Sequence, residues 1–293
     1  MKPAPFKYHA PATVDEALAL LARYGYDGKA LAGGQSLIPM MNFRLAQPAV
    51  LVDLNNISEL FFIRPDRDGS VRIGAMTRER QVEHDPLIAA AAPMVHAAMP
   101  LIAYPQIRTR GTFGGCIAHA DPSAELPAVS VALKARMRVR GQRAERWVAA
   151  DQFFQGFFTT VLKPDELLVE IALPPMPPNS GWSFLEVARR HHDFALVGVA
   201  ALVILSAAKD LCQEARIVFF SVGEGPVQAH QAAQVLQGQA PTPEAIREAA
   251  EVAARDDVDP TTDINASADF RRHLVGVLGR RALTEAFNRA RQG

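Results

Sequence analysis

The apolar and polar positions divide this chain into short elements of both secondary-structure types. Ala17, Leu18, Leu20 and Leu21 share one helical face, which predicts a helix from about Thr13 to Tyr24. Thr13 followed by Glu16 reads as a capping box, and Gly25 stands where a helix-ending glycine belongs. Lys29–Ala32 and Ala49–Leu54 read as short buried strands. Val71–Ala75 alternates like a strand, and Pro86–Met99 is alanine-rich and predicted helical, broken or kinked at Pro93. Gly111–Gly115 reads as a glycine loop and Pro127–Lys134 as a helix. Met137–Val139 and Arg146–Val148 suggest a hairpin around Gly141, and Leu167–Leu173 suggests a strand.

The segment from Pro174 to Gly181 holds four prolines in five residues, which neither a helix nor a central strand accepts. It predicts a linker to a third unit. Strands are expected there at Trp182–Ala188, Ala195–Leu205 and Ala215–Val222. Helices are expected at Ala229–Leu236, Pro243–Ala254 and Ala268–Arg289, with Thr242 as a cap before Pro243. Phe194–Ala208 is the most apolar stretch, too short to span a bilayer, and reads as a buried strand pair or a strand plus a turn. The fold class is α+β, with units expected at 1–56, 57–177 and 178–293 and no internal repeat.

Composition narrows the function. The 293 residues suit roughly two domains at about 150 residues each. With 49% hydrophobic and 21% charged residues, a sizeable core forms and global disorder is excluded. Lys plus Arg and Asp plus Glu are each 31, so the net charge is zero and gives no electrostatic case for nucleic acid. The two cysteines, Cys116 and Cys212, cannot ligate an iron–sulfur cluster, which takes about four. They point instead to a reducing compartment. Residues 1–6 show no apolar signal segment, and prolines interrupt the uncharged run from Pro86 to Ile107. A cytoplasmic protein without a membrane span is expected.

Two glycine segments carry the candidate chemistry: Leu31-Ala32-Gly33-Gly34-Gln35-Ser36-Leu37 and Arg110-Gly111-Thr112-Phe113-Gly114-Gly115-Cys116. Paired glycines after an apolar strand let a backbone approach a ligand without a Cβ in the way. Successive free N–H groups form an anion nest, to which Ser36 and Thr112 add hydroxyls. Two such loops can embrace a pyrophosphate from both sides; alone, each is as readily a tight turn. The chain has neither G-x-G-x-x-G between a strand and a helix nor G-x-x-x-x-G-K-[ST], which disfavours a Rossmann site and a P-loop.

Taken together, residues 31–45 and 108–127 resemble the two flavin loops of the molybdenum hydroxylase flavoprotein subunits. The pattern is most similar to the medium subunit of aerobic carbon monoxide dehydrogenase and related N-heterocycle dehydrogenases. The resemblance spans essentially the whole chain and is looser outside the loops. It implies a PCMH-type FAD domain of two subdomains, followed by a C-terminal domain with a small antiparallel sheet and helices. It also implies that Ala32, Gly33, Gly34, Gln35, Ser36 and Leu37 wrap the FAD pyrophosphate, with Thr112, Gly114, Gly115 and Cys116 approaching from the opposite side. Ile102, Ala118, Glu125 and Leu168 align with further FAD contacts, and Phe194 with a position near the isoalloxazine ring. Relatives more often carry serine or asparagine where this chain has Cys116, and a thiol is a weak donor.

The implied role is electron transfer within a heteromeric complex. A molybdenum cofactor on a large subunit oxidises substrate, and electrons pass through two 2Fe–2S clusters on a small subunit to FAD on this chain. FAD then passes them to an external acceptor. The assembly expected is a heterotrimer or a dimer of heterotrimers. A stand-alone flavoprotein oxidase or reductase, or a cofactor-free scaffold subunit, are the alternatives. The substrate stays open among carbon monoxide, aldehydes, purines and other N-heterocycles. No catalytic side chain and no metal site is assigned here. His119 with Asp121 suggests a general base, but Asp121-Pro122 is a common turn dipeptide. His191-His192-Asp193 looks like a metal cluster, but adjacent histidines in a strand face opposite ways. Arg189-Arg190 is either a solvated pair or part of the flavin's surroundings, and Cys212 reads as an inert thiol.

Overall fold

The computed structural model describes residues 1–292. At the N-terminus, three strands form a parallel sheet in the order Lys7–His9, Val50–Asp53, Gly28–Leu31. The helix Val14–Tyr24 covers it, burying Val14, Ala17, Leu18 and Leu21. Thr13 Oγ1 accepts the Glu16 amide at 3.2 Å, as its capping role requires. The Glu16 carboxylate reaches one residue further back than a capping box expects and takes the Ala12 amide at 2.9 Å. Gly25 ends the helix at φ 52°.

The next sheet is antiparallel and five-stranded, in the order Ile63–Pro65, Val71–Gly74, Leu167–Leu173, Arg136–Arg140, Glu145–Ala149. Its central strand, Leu167–Leu173, is buried along its whole length. That burial includes Glu170, held by Arg72 and Arg138 at 3.0 Å each. The alanine-rich stretch forms two helices, Pro86–Ala91 and Pro93–Ala98, because Pro93 starts a new helix where it cannot continue the old one. The helix expected at Pro127–Lys134 starts and ends two residues earlier, at Glu125–Ala132, with Pro127 still inside its first turn.

The third sheet is antiparallel, running Ser180–Ala188, Ala195–Leu205, Cys212–Phe220, Val227–Gln228. The apolar run at 194–208 is one 11-residue strand leading into a turn, not a strand pair. One face of this sheet, with Phe184, Ala200, Leu202, Val218 and Phe220, joins the core that also holds Ile102, Ile117 and Leu168. The other face is covered by the helices His230–Leu236, Pro243–Val252 and Ala268–Gln292. The middle helix closes in a π turn, Ala253–Asp257. The C-terminal sheet is thus packed directly on the unit that carries the second glycine segment. Among the described residues, no helix is long and apolar enough to cross a membrane.

Candidate functional site

The first glycine segment leaves the strand Gly28–Leu31 and enters the short helix Leu37–Asn42. Gly34 turns the chain at φ 75°, a conformation that L side chains rarely adopt. Among the described residues, the backbone N–H groups of Gly33, Gly34, Gln35 and Ser36 have no partner. Four consecutive free donors on a chain turned by a left-handed glycine suit an anion. The Gln35 side chain steadies the turn by donating to the Gly33 carbonyl at 3.2 Å.

The second segment comes directly against the first. A Cβ on Gly33 would stand 2.9 Å from the Arg110 carbonyl carbon and from the Gly111 Cα, all backbone atoms that cannot swing aside. A Cβ on Gly115 would stand 3.2 Å from the Ala32 Cβ. Glycine at both positions therefore allows the two segments to touch.

The second segment is not the glycine loop expected from its composition. Thr112 caps a helix, Phe113–His119, and Gly114 and Gly115 lie in its first turn. Its amide donors are used inside the chain, except that of Thr112, which has no partner among the described residues. The Phe113 amide donates to Thr77 O at 3.0 Å, Gly114 to Ala75 O at 2.9 Å, Gly115 to Thr112 Oγ1 at 3.1 Å and Cys116 to Thr112 O at 3.0 Å. A two-sided nest of N–H groups is thus reduced to four donors on residues 33–36 and one, the Thr112 amide, on the second segment. Gly114 is needed for packing, since a Cβ there would run into the Ala75 backbone. The helix face left partly open carries Gly115, Cys116, Ala118 and His119.

Two arginines hold the segments in place. Arg78 donates to the Arg110 carbonyl at 2.7 Å and to Asn55 Oδ1 at 2.5 Å. Asn55 in turn donates to the Ala32 carbonyl at 2.9 Å. The Arg78–Asn55 pair therefore ties one glycine segment to the other. Arg108, only 4% exposed, pairs with Glu83 through Nε (2.9 Å) and Nη2 (3.0 Å). Its Nη1 donates to the carbonyls of Ile102 and Ala103 at 2.8 Å each. Ala103 is held at φ 44°, so the clamp fixes a strained turn beside Ile102. None of Asn55, Arg78, Glu83 and Arg108 was singled out from the sequence, because nothing local marks a charged side chain that will be buried against backbone carbonyls.

The remaining candidates fall as follows. Ile102 and Leu168 are buried in the core shared with the C-terminal sheet, and the helix Phe113–His119 packs on the strand carrying Leu168. Glu125 opens the helix after the second segment, and burial pushes its carboxyl up to about 7, with the Asp121 charge adding to the shift. Burial also pushes the Cys116 thiol up, helped by Glu79 and Glu125, so it stays neutral. Burial lowers the pKa of His119, whose ring lies 5.0 Å from that of Phe158. The Asp121 carboxylate accepts the Ser123 amide at 2.8 Å, the bond of a local turn rather than of a His–Asp couple. His191 and His192 lie in the turn between two strands and not in a strand, with rings 4.1 Å apart in an edge arrangement. Phe194 is 71% exposed at the end of that turn, and Arg189 and Arg190 are exposed before it. Cys212 is buried, with its thiol pushed up to about 11, first by that burial.

The seam therefore offers four free backbone donors at a glycine turn, a close-set helix wall and, at the start of the next helix, the buried Glu125 carboxyl. A dinucleotide with a pyrophosphate and a hydrogen-bonding ring system fits those features. Comparison with known proteins decides the family. Residues 4–176 match the FAD binding domain in molybdopterin dehydrogenase, and residues 182–286 match the CO dehydrogenase flavoprotein C-terminal domain. This chain belongs to the FAD-binding subunits of the molybdenum hydroxylases. It is 39% identical over 289 residues to the carbon monoxide dehydrogenase medium chain of Hydrogenophaga pseudoflava, covering 99% of both chains. It is also 39% identical to the caffeine dehydrogenase subunit beta of Pseudomonas sp. (strain CBB1), covering 99% of this chain and 97% of that one. The solved carbon monoxide dehydrogenase from Hydrogenophaga pseudoflava that lacks the Mo-pyranopterin moiety superimposes with a TM-score of 0.94 at 40% identity, covering 99% of each chain. The flavoprotein resemblance and the α+β class read from the sequence both stand.

Proposed function

We propose that this chain holds FAD between residues 32–37 and the helix capped by Thr112, whose open face carries Gly115, Cys116 and Ala118 and which Gly114 seats, with Ile102, Glu125 and Leu168 completing the site. The observation that carries this reading is the run of unpartnered N–H groups at Gly33–Ser36, set against a helix that Gly33 and Gly115 allow to approach. The zero net charge supports it, since backbone donors rather than a basic patch then hold the diphosphate. The second segment mainly packs, leaving the Thr112 amide to donate: the Thr112 hydroxyl caps the helix, and Gly114 seats it on Ala75. FAD, when bound, supplies the one- and two-electron chemistry; the chain orients it, excludes water and offers protons.

Electrons reach this chain from outside it. Two cysteines hold no cluster, so 2Fe–2S clusters and the molybdenum cofactor belong to a small and a large partner subunit. A heterotrimer or a dimer of heterotrimers in the cytoplasm, reducing an external acceptor, fits that arrangement. The working division of the chain is 1–56 and 57–177 for the FAD subdomains and 178–293 for the C-terminal domain. The test is native co-purification with molybdenum, iron and flavin analysis, followed by anaerobic bleaching of the flavin absorbance across a substrate panel. Turnover by the isolated chain, without molybdenum or iron partners, would overturn the reading.

A further inference from the structure

Glu79 is a buried carboxyl that the reading above does not use. It opens the short helix Glu79–His84 and is 5% exposed. Its amide donates to the Gly111 carbonyl at 3.0 Å, which places residue 79 beside the second glycine segment. Its carboxyl fills the space into which a Cβ of residue 111 would project, with Oε1 3.0 Å from that position. Gly111 is thus glycine to make room for this carboxyl. Glu79 Oε2 is closed to solvent and has no hydrogen-bond partner. Buried polar atoms are nearly always satisfied in a working protein, so an orphan packed on the second glycine segment points to a partner that the ligand supplies.

The charges around Glu79 do not provide that partner. Arg108 attracts it, but its guanidinium is committed to Glu83 and to the carbonyls of residues 102 and 103. Arg78, the adjacent residue, is turned to Asn55 and to the Arg110 carbonyl. From the helix packed beyond, Glu125 repels it, and the Cys116 thiol is neutral. Burial is the largest influence, and the Glu79 carboxyl is pushed up to about 8. At neutral pH it is an acid that can donate as well as accept.

We propose that Glu79 is a further residue of the FAD site, its carboxylic acid, packed on Gly111, hydrogen-bonding the cofactor at the second glycine segment. The inference rests on the FAD reading. The cofactor carries hydroxyls, ring carbonyls and a ring N–H, and a neutral carboxyl suits both acceptors and donors among them. Binding also brings the negative diphosphate near and removes water, and both changes favour the protonated carboxyl. Above pH 8 the balance is therefore carboxylate plus one proton plus FAD giving the carboxylic acid–FAD complex.

The experiment uses the full chain, stripped of FAD and titrated with FAD by calorimetry in two buffers of different ionisation enthalpy, at pH 7, 8, 8.5 and 9. The wild type is expected to take up protons above pH 8, with the FAD Kd rising by up to about tenfold per pH unit. Glu79→Gln is expected to bind FAD within severalfold of wild type at pH 7, to lose that uptake and to flatten the pH dependence. Glu186→Gln removes the other carboxyl pushed up to about 8 and is expected to keep the uptake above pH 8. An infrared difference spectrum of the wild type on FAD binding reports the protonated carboxyl independently of any variant. Equal proton uptake in wild type and Glu79→Gln, or no carboxyl band, overturns the role of Glu79 alone. No FAD binding by the wild type at any pH overturns the FAD reading with it.

Discussion

Gly115 lies against Ala32 so closely that a Cβ at residue 115 would stand 3.2 Å from the Ala32 Cβ. These two residues are 83 positions apart in the chain, and their approach brings the two glycine segments together. The proposed FAD site is therefore a seam whose width glycine sets. Gly33 makes the tighter approach, since its would-be Cβ meets backbone atoms of Arg110 and Gly111. Gly33→Ala is expected to part the segments and weaken FAD binding at least tenfold, about 1.4 kcal/mol. The flavin-to-protein ratio of the purified complex reads this directly, and an unchanged ratio would refute the close-approach argument.

Arg78 and Asn55 form the tie across that seam. Arg78→Met removes two charge-assisted bonds, worth about 1.5–3 kcal/mol each in favourable cases. It is expected to weaken FAD binding by about tenfold and lower the melting temperature by several degrees. Asn55→Ala acts on the same tie, so the double variant should lose clearly less than the sum of the two single losses. Strict additivity in FAD affinity would show that the two residues act separately.

Glu170 sits buried between Arg72 and Arg138 in the central strand Leu167–Leu173, two residues from Leu168. Glu170→Ala leaves two guanidiniums facing each other without their shared partner. Arg72 keeps Asp66 and Arg138 keeps Glu145, so the expected loss lies below the roughly 3–5 kcal/mol of a fully uncompensated buried charge. Denaturant unfolding measures it, and a loss under about 1 kcal/mol would mean that solvent replaces the carboxylate.

Glu186 gives a pH signature of its own. Burial, and then the charge of Glu125, push its carboxyl up to about 8. Its Oε2 has no partner. The folded protein then holds a proton that the unfolded chain releases near pH 4.5. Stability consequently falls as pH rises from about 4.5 to about 8, and levels off above that. Glu186→Gln should make this slope shallower, leaving the shares of Glu79 and Glu125, and melt at a higher temperature than the wild type at pH 8. Parallel melting curves for the two proteins from pH 5 to 9 would contradict it.

Glu214 works in the opposite direction. A hydrogen bond from Arg216, followed by one from Lys134, holds its carboxyl at about 2. Its stabilisation is present above about pH 4.5 and is lost as pH falls toward 2. Glu214→Gln should therefore narrow the gap between the melting temperatures at pH 6 and pH 3, with solvent screening keeping the effect small.

The sequence by itself determined what local chemistry can determine. Thr13 and Thr242 are caps, Pro93 starts a new helix, and the strands Leu167–Leu173 and Ala195–Leu205 follow their apolar runs. The two glycine segments and the family resemblance were also legible, because they lie in contiguous residues. Cysteine count alone excluded a cluster on this chain. Tertiary structure decided the rest. Glycines at 114 and 115 look the same in sequence whether they line a loop or the first turn of a helix, and only the bonds from Phe113 to Thr77 and from Gly114 to Ala75 select the helix. Arg78, Asn55 and Glu79 gain their roles from carbonyls and glycines far away in the chain, and Arg108 from the Glu83 carboxylate 25 residues before it. A charged residue in sequence reads as solvated, and its burial is set by which distant backbone groups come to meet it.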